Sequence, residues 1–296
     1  MEEIEIHNLT KDYGNQKGIF DVDFSVKKGE VFGFLGPNGA GKTTTIRHLM
    51  GFIRPDKGHA LIQGMDCFEK REKIQKKLGY LPGEIALIDN MTGTGYLNFM
   101  AEMKGLSDRR YMDELIGYFE LDPRGKIRKM SKGMKQKIGI VSAFMHKPDI
   151  LILDEPTSGL DPLMQNRFID LIMKEKNRGT TILMSSHIFE EVEKTCDRTA
   201  IIRSGRIAAV EDMNYFSKRK KKIYTVTFED ERKAAVFGET VGNILKSVDG
   251  NRVCLNISGR PGEILQKIAL ADPVDVEIKT QSLEELFMHF YDEEDR

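Results

Sequence analysis

The stretch Gly36-Pro37-Asn38-Gly39-Ala40-Gly41-Lys42-Thr43 has the residue types and spacing that grip a polyphosphate: a glycine, four residues, then Gly-Lys-Thr. The glycines have no Cβ, so the backbone can curl until successive N–H groups point inward at phosphate oxygens. A helix expected over 44–50 adds the positive end of its dipole, and Thr44 at its start belongs to the same phosphate-binding set. Lys42 supplies a point charge for the β- and γ-phosphates, and the Thr43 hydroxyl is placed to bind Mg²⁺. A second constellation lies downstream. Asp154 ends an apolar run, where a parallel sheet delivers side chains to a ligand, and a carboxylate there can hold the same Mg²⁺. Glu155 follows at once and can take a proton from an attacking water.

These groups need a scaffold, and the hydrophobic pattern supplies one. Residues 4–9 and 20–26 alternate apolar and polar, as half-buried antiparallel strands do. The apolar run Val31 to Leu35 leads into the phosphate loop, and Asp149 to Leu153 reads as a strand buried on both faces. Short strands are expected over 58–63 and 79–81, and amphipathic helices over 96–104 and 110–119. In the second helix Met112, Leu115, Ile116 and Phe119 form a core-facing stripe. Ser131 caps a further helix that runs to about His146. Helix 162–178, strand 180–185, helix 188–196 and strand 198–203 then alternate, the pattern of an α/β domain with a parallel sheet.

Beyond Asp212 the pattern changes. A linker is expected over 213–222, with the basic run Lys218 to Lys222 inside it, followed by a small α+β domain over 223–296. That domain should hold strands over 224–228, 252–257 and 274–279, and a last helix with a capping box, Ser282 with Glu285. Leu283, Leu286, Phe287 and Phe290 form the apolar face of this helix.

The balance of 45 lysines and arginines against 46 acids gives no argument for a nucleic-acid partner. Three widely spaced cysteines fit neither a disulfide framework nor a metal-ligand pattern, and point to a reducing compartment. The acidic start, Met1-Glu2-Glu3, does not read as a signal peptide. No run approaches the ~20 apolar residues that span a bilayer.

Together these motifs resemble the ATP-binding subunit of an ABC transporter, over about residues 1–212. Gly36 to Thr43 matches the Walker A motif, Ile150 to Glu155 the Walker B motif with its catalytic glutamate, and Ser158-Gly159-Leu160-Asp161 the D-loop. Tyr13 matches the aromatic that stacks on adenine, and His187, after Ser185-Ser186, the switch histidine. The resemblance implies a P-loop NTPase cassette with a mixed core sheet, an antiparallel β part and a helical subdomain over about 84–146. It implies ATP and Mg²⁺ as ligands, with Lys42, Glu155 and His187 catalytic, Thr43 and Asp154 on the metal, and Asp161 among the nucleotide-binding residues. It further implies a second cassette, most simply another copy, whose signature faces the Walker A motif. Separate transmembrane permease subunits would hold the pair at the cytoplasmic face of the membrane, in an exporter of the drug-resistance kind.

Two positions depart from the family pattern. The usual Leu-Ser-Gly-Gly-Gln signature is here Met130-Ser131-Lys132-Gly133-Met134, which keeps the serine and the second glycine. Ser131 and Gly133 can still meet a γ-phosphate at a helix N-terminus, while Lys132 either adds charge or is simply solvated. In the Q-loop, Gly83 stands where glutamine is expected, with Glu84 one residue late as the candidate substitute. Two rival readings remain at this point: a soluble cassette ATPase of DNA repair or ribosomes, and a regulatory module that binds nucleotide without hydrolysing it. The short distance from Thr43 to Ser131 leaves no room for the long coiled coil of repair-type members, and an intact Lys42, Asp154, Glu155 and His187 argue against the regulatory module.

Overall fold

The computed structural model describes residues 1–213, 215, 222–257 and 261–280. The chain divides into two compact units, Met1–Met213 and Asn214–Arg296. The first opens with β1 (Glu2–Asp12) and β2 (Gly18–Lys27), then β3 (Val31–Leu35), α1 (Lys42–Leu49), β4 (Lys57–Ile62), β5 (Met65–Asp66) and α2 (Arg71–Lys77). After β6 (Leu78–Leu81) come three helices, α3 (Gly93–Met103), α4 (Arg110–Tyr118) and α5 (Lys132–Phe144). The unit continues with β7 (Ile150–Asp154), α6 (Pro162–Arg178), β8 (Thr181–Ser186), α7 (Phe189–Thr195), β9 (Arg198–Arg203) and β10 (Arg206–Asp212).

Two sheets result. One is antiparallel, in the order β2-β1-β4-β5, and the other runs β10-β9-β3-β8-β7-β6, parallel except for β10. Every residue of β3, β7 and β8 is buried, as their apolar runs require. Ile4, Ile6, Val22 and Phe24 from the first sheet share one core with Phe32, Phe34 and Ile152 from the second. Burying each such side chain contributes about 1.5–3 kcal/mol, so this core welds the sheets together. Phe24 stacks on Phe32 with ring centroids 5.1 Å apart.

Local sequence sets the helix ends. Thr92 accepts from the Gly95 amide and starts α3 at Gly93, earlier than the apolar pattern alone suggests. Asp161 caps α6, Pro162 occupies its first turn, and Gly179 ends it at φ +89°. Met112 and Leu115 of α4 and Phe119 just after it are buried as the stripe requires, with Ile116 half-buried.

Strands β5 and β10, helix α2 and, in the second unit, a strand over Leu245–Asp249 were not anticipated. β10 is an edge strand whose side chains alternate only between exposed and half-buried, so its hydrophobic signal is weak. It is joined to β9 by Ser204 and Gly205, both at positive φ (+48° and +77°), as a two-residue hairpin turn demands.

The second unit contains β11 (Lys222–Thr227), α8 (Glu231–Val241), β12 (Leu245–Asp249), β13 (Arg252–Ile257), α9 (Gly262–Leu270) and β14 (Asp275–Thr280). Its antiparallel sheet has the order β12-β13-β11-β14, the split β-α-β arrangement of a ferredoxin-like unit. Tyr224, Val226, Val253 and Leu255 pack with Phe237, Ile264 and Ile268 in a core of its own. Residue 222, expected in the linker, is the first of β11. The rest of that linker lies largely outside the described residues, as do most of the basic run and the whole of the capping-box helix on Ser282 and Glu285. Among the described residues no helix is long and apolar enough to cross a membrane.

Burial also sorts the three free thiols. Cys67 is 2% and Cys196 6% exposed, and burial pushes both up to about 12, whereas Cys254 is half-buried. At pH 8 a thiol of that kind is thiolate about one part in ten thousand. A thiol reagent should therefore label Cys254 first, and Cys67 and Cys196 only when denaturant is added. Rapid labelling of all three in the native protein, read by mass spectrometry, would contradict this packing.

Candidate active site

Strands β3, β8 and β7 lie side by side and parallel, so their C-terminal ends open on one edge of the sheet. Leu35 pairs with Ser186, and Asp154 with Ser185. That register brings the loop after β3, the acids after β7 and the polar end of β8 to one place, where ligands of open α/β sheets bind.

The loop after β3 is shaped by what it excludes. Gly39 and Gly41 sit at φ +81° and +115°, in the left-handed region that favours glycine. A Cβ on Gly36 would come within 2.4 Å of the Ile202 carbonyl oxygen, and one on Gly41 within 2.7 Å of Ile19 Cγ2. Helix α1 begins at Lys42 with no side-chain cap, so the amides of Lys42, Thr43 and Thr44 have no capping partner from Gly41. They form an anion cradle at a helix N-terminus.

Lys42 is 4% exposed; its Nζ donates to Gly36 O at 2.7 Å and Pro37 O at 3.1 Å, and lies 3.3 Å from Glu155 Oε1. Asp154 is fully buried. Its Oδ2 accepts from Thr43 Oγ1 at 2.8 Å and its Oδ1 from Ser185 Oγ at 2.5 Å. Glu155 takes φ +46°, held there by its N–H, which donates to Ser185 Oγ at 3.0 Å. His187 Nδ1 is 3.5 Å from Glu155 Oε2. The sites of lysine, hydroxyl, two carboxylates and imidazole thus converge from three separate strand ends.

A cavity of about 490 Å³ opens over this group, lined by Tyr13, Lys17, Asn38, Gly39, Thr43, Glu155 and Gly205 among others. Tyr13, 55% exposed, stands at its mouth, its amide donating to the Lys17 carbonyl at 2.8 Å. Sequence reasoning did not single out Lys17, Ser204 or Gly205. The Ser-Gly turn signal was available for the last two, but that the turn folds onto the phosphate loop was not: Gly205 N–H donates to Ala40 O at 3.0 Å. Glu191 was missed as well. It is buried, accepts from Thr157 Oγ1 and Ser186 Oγ, and so ties the chain after Glu155 to the end of β8; burial pushes its carboxyl above the usual range.

Ser131, Gly133 and Asp161 do not line this cavity. Ser131 Oγ accepts from Met134 N–H at 3.2 Å and caps α5. Asp161 Oδ1 accepts from Met164 N–H at 3.0 Å and caps α6. At the Q-loop position, a Cβ on Gly83 would lie 3.3 Å from Asp154 Oδ2, so this residue does adjoin the buried acid but brings no side chain to it. Glu84 is exposed.

A phosphate cradle on a central parallel strand, with paired acids ending a strand beyond its neighbour, defines a P-loop nucleotide-hydrolysing protein. A family model describing ABC transporters matches residues 19–158. The chain is 38% identical over 241 residues to the bacitracin transport ATP-binding protein BcrA of Bacillus licheniformis, a match covering 80% of this chain and 78% of that one. It is 34% identical over 296 residues to the uncharacterized ABC transporter ATP-binding protein YhcH of Bacillus subtilis (strain 168), covering 96% of this chain and 94% of that one. Among solved structures it is similar to an ATP-binding subunit of an ABC transporter, with TM-score 0.67, 33% identity, and coverage of 73% of this chain and 92% of the other. The chain belongs to the ABC transporter family, as an ATP-binding ATPase subunit.

The cap geometry makes one stability prediction. Asp161→Ala removes the acceptor at the start of α6 and should lower stability by about 1 kcal/mol. Urea unfolding of the nucleotide-free protein measures it, and an unchanged midpoint would rule out the capping role.

Proposed function

We propose that this chain is the ATP-hydrolysing subunit of a membrane exporter. It works as a dimer of cassettes, with separate permease chains, at the cytoplasmic face of the membrane. The convergence of Lys42, Thr43, Asp154, Glu155 and His187 below one phosphate cradle carries the hydrolytic part of this reading. The dimeric part is supported by what that cavity lacks: Ser131 and Gly133 lie outside it at an exposed helix N-terminus, so a second copy would bring them to the γ-phosphate. The exporter reading is supported by the similarity to the bacitracin transport protein.

In this scheme the adenine stacks on Tyr13 and the phosphates occupy the cradle of Gly36, Pro37, Asn38, Gly39, Ala40, Gly41, Lys42, Thr43 and Thr44. Thr43 and Asp154 fit a small hard cation, because a hydroxyl and a buried carboxylate already meet there at 2.8 Å. Mg²⁺ held by them would neutralise charge on the phosphate oxygens. Glu155 accepts a proton from water as its oxygen attacks the γ-phosphorus and the bond to the ADP oxygen breaks. His187, beside Glu155, orients that carboxylate and the γ-phosphate. Asp161, next to the turn that follows Glu155, faces the partner copy.

The permease partner would engage a second cavity, of about 520 Å³, between the core and the helical region. Phe52, Tyr80, Pro82, Met100 and Met103 line it, with Phe52 54% and Met103 70% exposed. Pro82 precedes Gly83, which adjoins Asp154, so a membrane-subunit helix seated here touches a segment continuous with the ATP site.

Two substitutions test the reading. Lys42→Ala should abolish ATP binding or hydrolysis without unfolding the domain, since the lysine's working partner is phosphate; wild-type turnover would reject the whole loop assignment. Glu155→Gln keeps the side-chain shape but removes the base, and hydrolysis should slow roughly 10²–10⁴-fold. ATP left uncleaved between two copies stabilises only the closed dimer, which should accumulate by mass action. Size-exclusion chromatography of the transporter complex or cassette with Mg-ATP reads that shift, and full activity in the variant would show that Glu155 is not the base.

A further inference from the structure

Lys132 stands where the family signature has a glycine, and its side chain is engaged within its own chain. Its Nζ donates to Ser158 Oγ at 2.9 Å. Its stem runs along Gly159, where a Cβ would come within 2.9 Å of Lys132 Cγ and 3.0 Å of Cδ. Two further contacts join the same segments. A Cβ on Gly133 would lie 2.8 Å from the Gly159 carbonyl oxygen, and Gln136 Nε2 donates to Pro156 O at 2.7 Å. The start of α5 therefore grips residues 156–159, the chain directly after Glu155.

That gripped segment reaches the base through its backbone. Ser158 N–H donates to Glu155 O at 3.1 Å, and Leu160 N–H to Thr157 O at 3.0 Å, two tight turns in succession. Gly159 at φ +80° completes them, and Glu155 itself sits at φ +46°. A conformation of this kind persists only where neighbouring contacts over-determine it. Fixing Ser158 thus fixes the peptide that aims Glu155.

We propose that Lys132 is a positioning residue that couples the two ATP sites of the dimer. This rests on the two-copy reading above. The helix N-terminus that Ser131 and Gly133 present to the partner's γ-phosphate is joined, through Lys132 and Ser158, to the turn that carries this copy's own Glu155. Docking of the partner's nucleotide on α5 then biases the geometry of the base in the other site. A glycine at 132 would leave only the Gly133 and Gln136 contacts to transmit it.

The test uses the full chain in its active assembly. Steady-state hydrolysis is followed against ATP concentration for wild type, Lys132→Met, Lys132→Arg, Ser158→Ala and the double variant Lys132→Met with Ser158→Ala. Wild type should show a Hill coefficient of about 2, and Lys132→Met and Ser158→Ala should each bring it toward about 1. The double variant should be no worse than either single one, because both remove the same bond. Lys132→Arg, which keeps a donor, should restore cooperativity. Amide hydrogen exchange of the nucleotide-free protein supplies a readout independent of turnover: Lys132→Met should speed exchange over 156–160 about three- to tenfold.

Unchanged exchange in that segment overturns the proposal whatever the kinetics. So does a wild-type Hill coefficient of about 1. A raised KM for ATP in Lys132→Met, with Ser158→Ala silent, would mean that the ammonium acts on the partner's phosphate directly, which also overturns it. Absence of ATP hydrolysis in wild type would sink the hydrolytic reading itself, a failure distinct from any of these because the exchange experiment still reports on the Lys132 contact.

Discussion

A carboxylate with no exposed surface, Asp154, is the constraint on which the rest of the site depends. Such a group is stable in the interior only when its oxygens are hydrogen-bonded or face a cation. Here one oxygen takes the Thr43 hydroxyl and the other the Ser185 hydroxyl. Those donors come from α1 and β8, so a single acid ties the helix after the phosphate loop to the ends of two strands. The pairing of Leu35 with Ser186 and of Asp154 with Ser185 is what lets it do so. Because strand side chains alternate, a slip of one residue would turn Asp154 to the opposite face and dismantle the site.

Around that anchor the backbone adopts conformations that have no local justification. Glu155 is one of the non-glycine residues in the left-handed region, a placement that costs of order 1–3 kcal/mol. Bonds from its amide to Ser185 and from Ser158 to its carbonyl hold it there. The result is a carboxylate within reach of both Lys42 and His187. Glu191 supports the same turn from beneath by accepting from Thr157 and Ser186. The strain lies at the residue proposed as the base, and the surrounding core supplies the stability that tolerates it.

The second unit is organised on different terms. It carries its own sheet and its own core, and its buried residues alternate along β11 and β13 as a one-sided sheet demands. The similarity to the Bacillus subtilis protein runs through both units, whereas the match to the family model ends at residue 158. The cavity of the candidate site is lined wholly by residues of the first unit.

Features that depend on neighbours in the chain could be read directly from sequence. The phosphate loop is one, since its glycines, Lys42 and Thr43 act through local backbone geometry and a following helix. The buried strands announced themselves as apolar runs, and α5 through its cap Ser131. Asp154 and Glu155 were legible because they end such a run. What sequence could not specify was which strand lies beside which, and therefore that β8 stands between β3 and β7. Thr43 and Asp154 are 111 positions apart, and their meeting is decided by strand order. The same holds for Lys17 and Gly205 at the cavity, for Glu191 beneath it, and for Lys132 on Ser158. Strand β12 was hidden for another reason: all its residues are exposed, so no alternation of burial marks it. Local periodicity and turn chemistry act over a few residues, whereas register and sheet order are chosen by the packing of the whole core, and that choice gives these scattered side chains a common site.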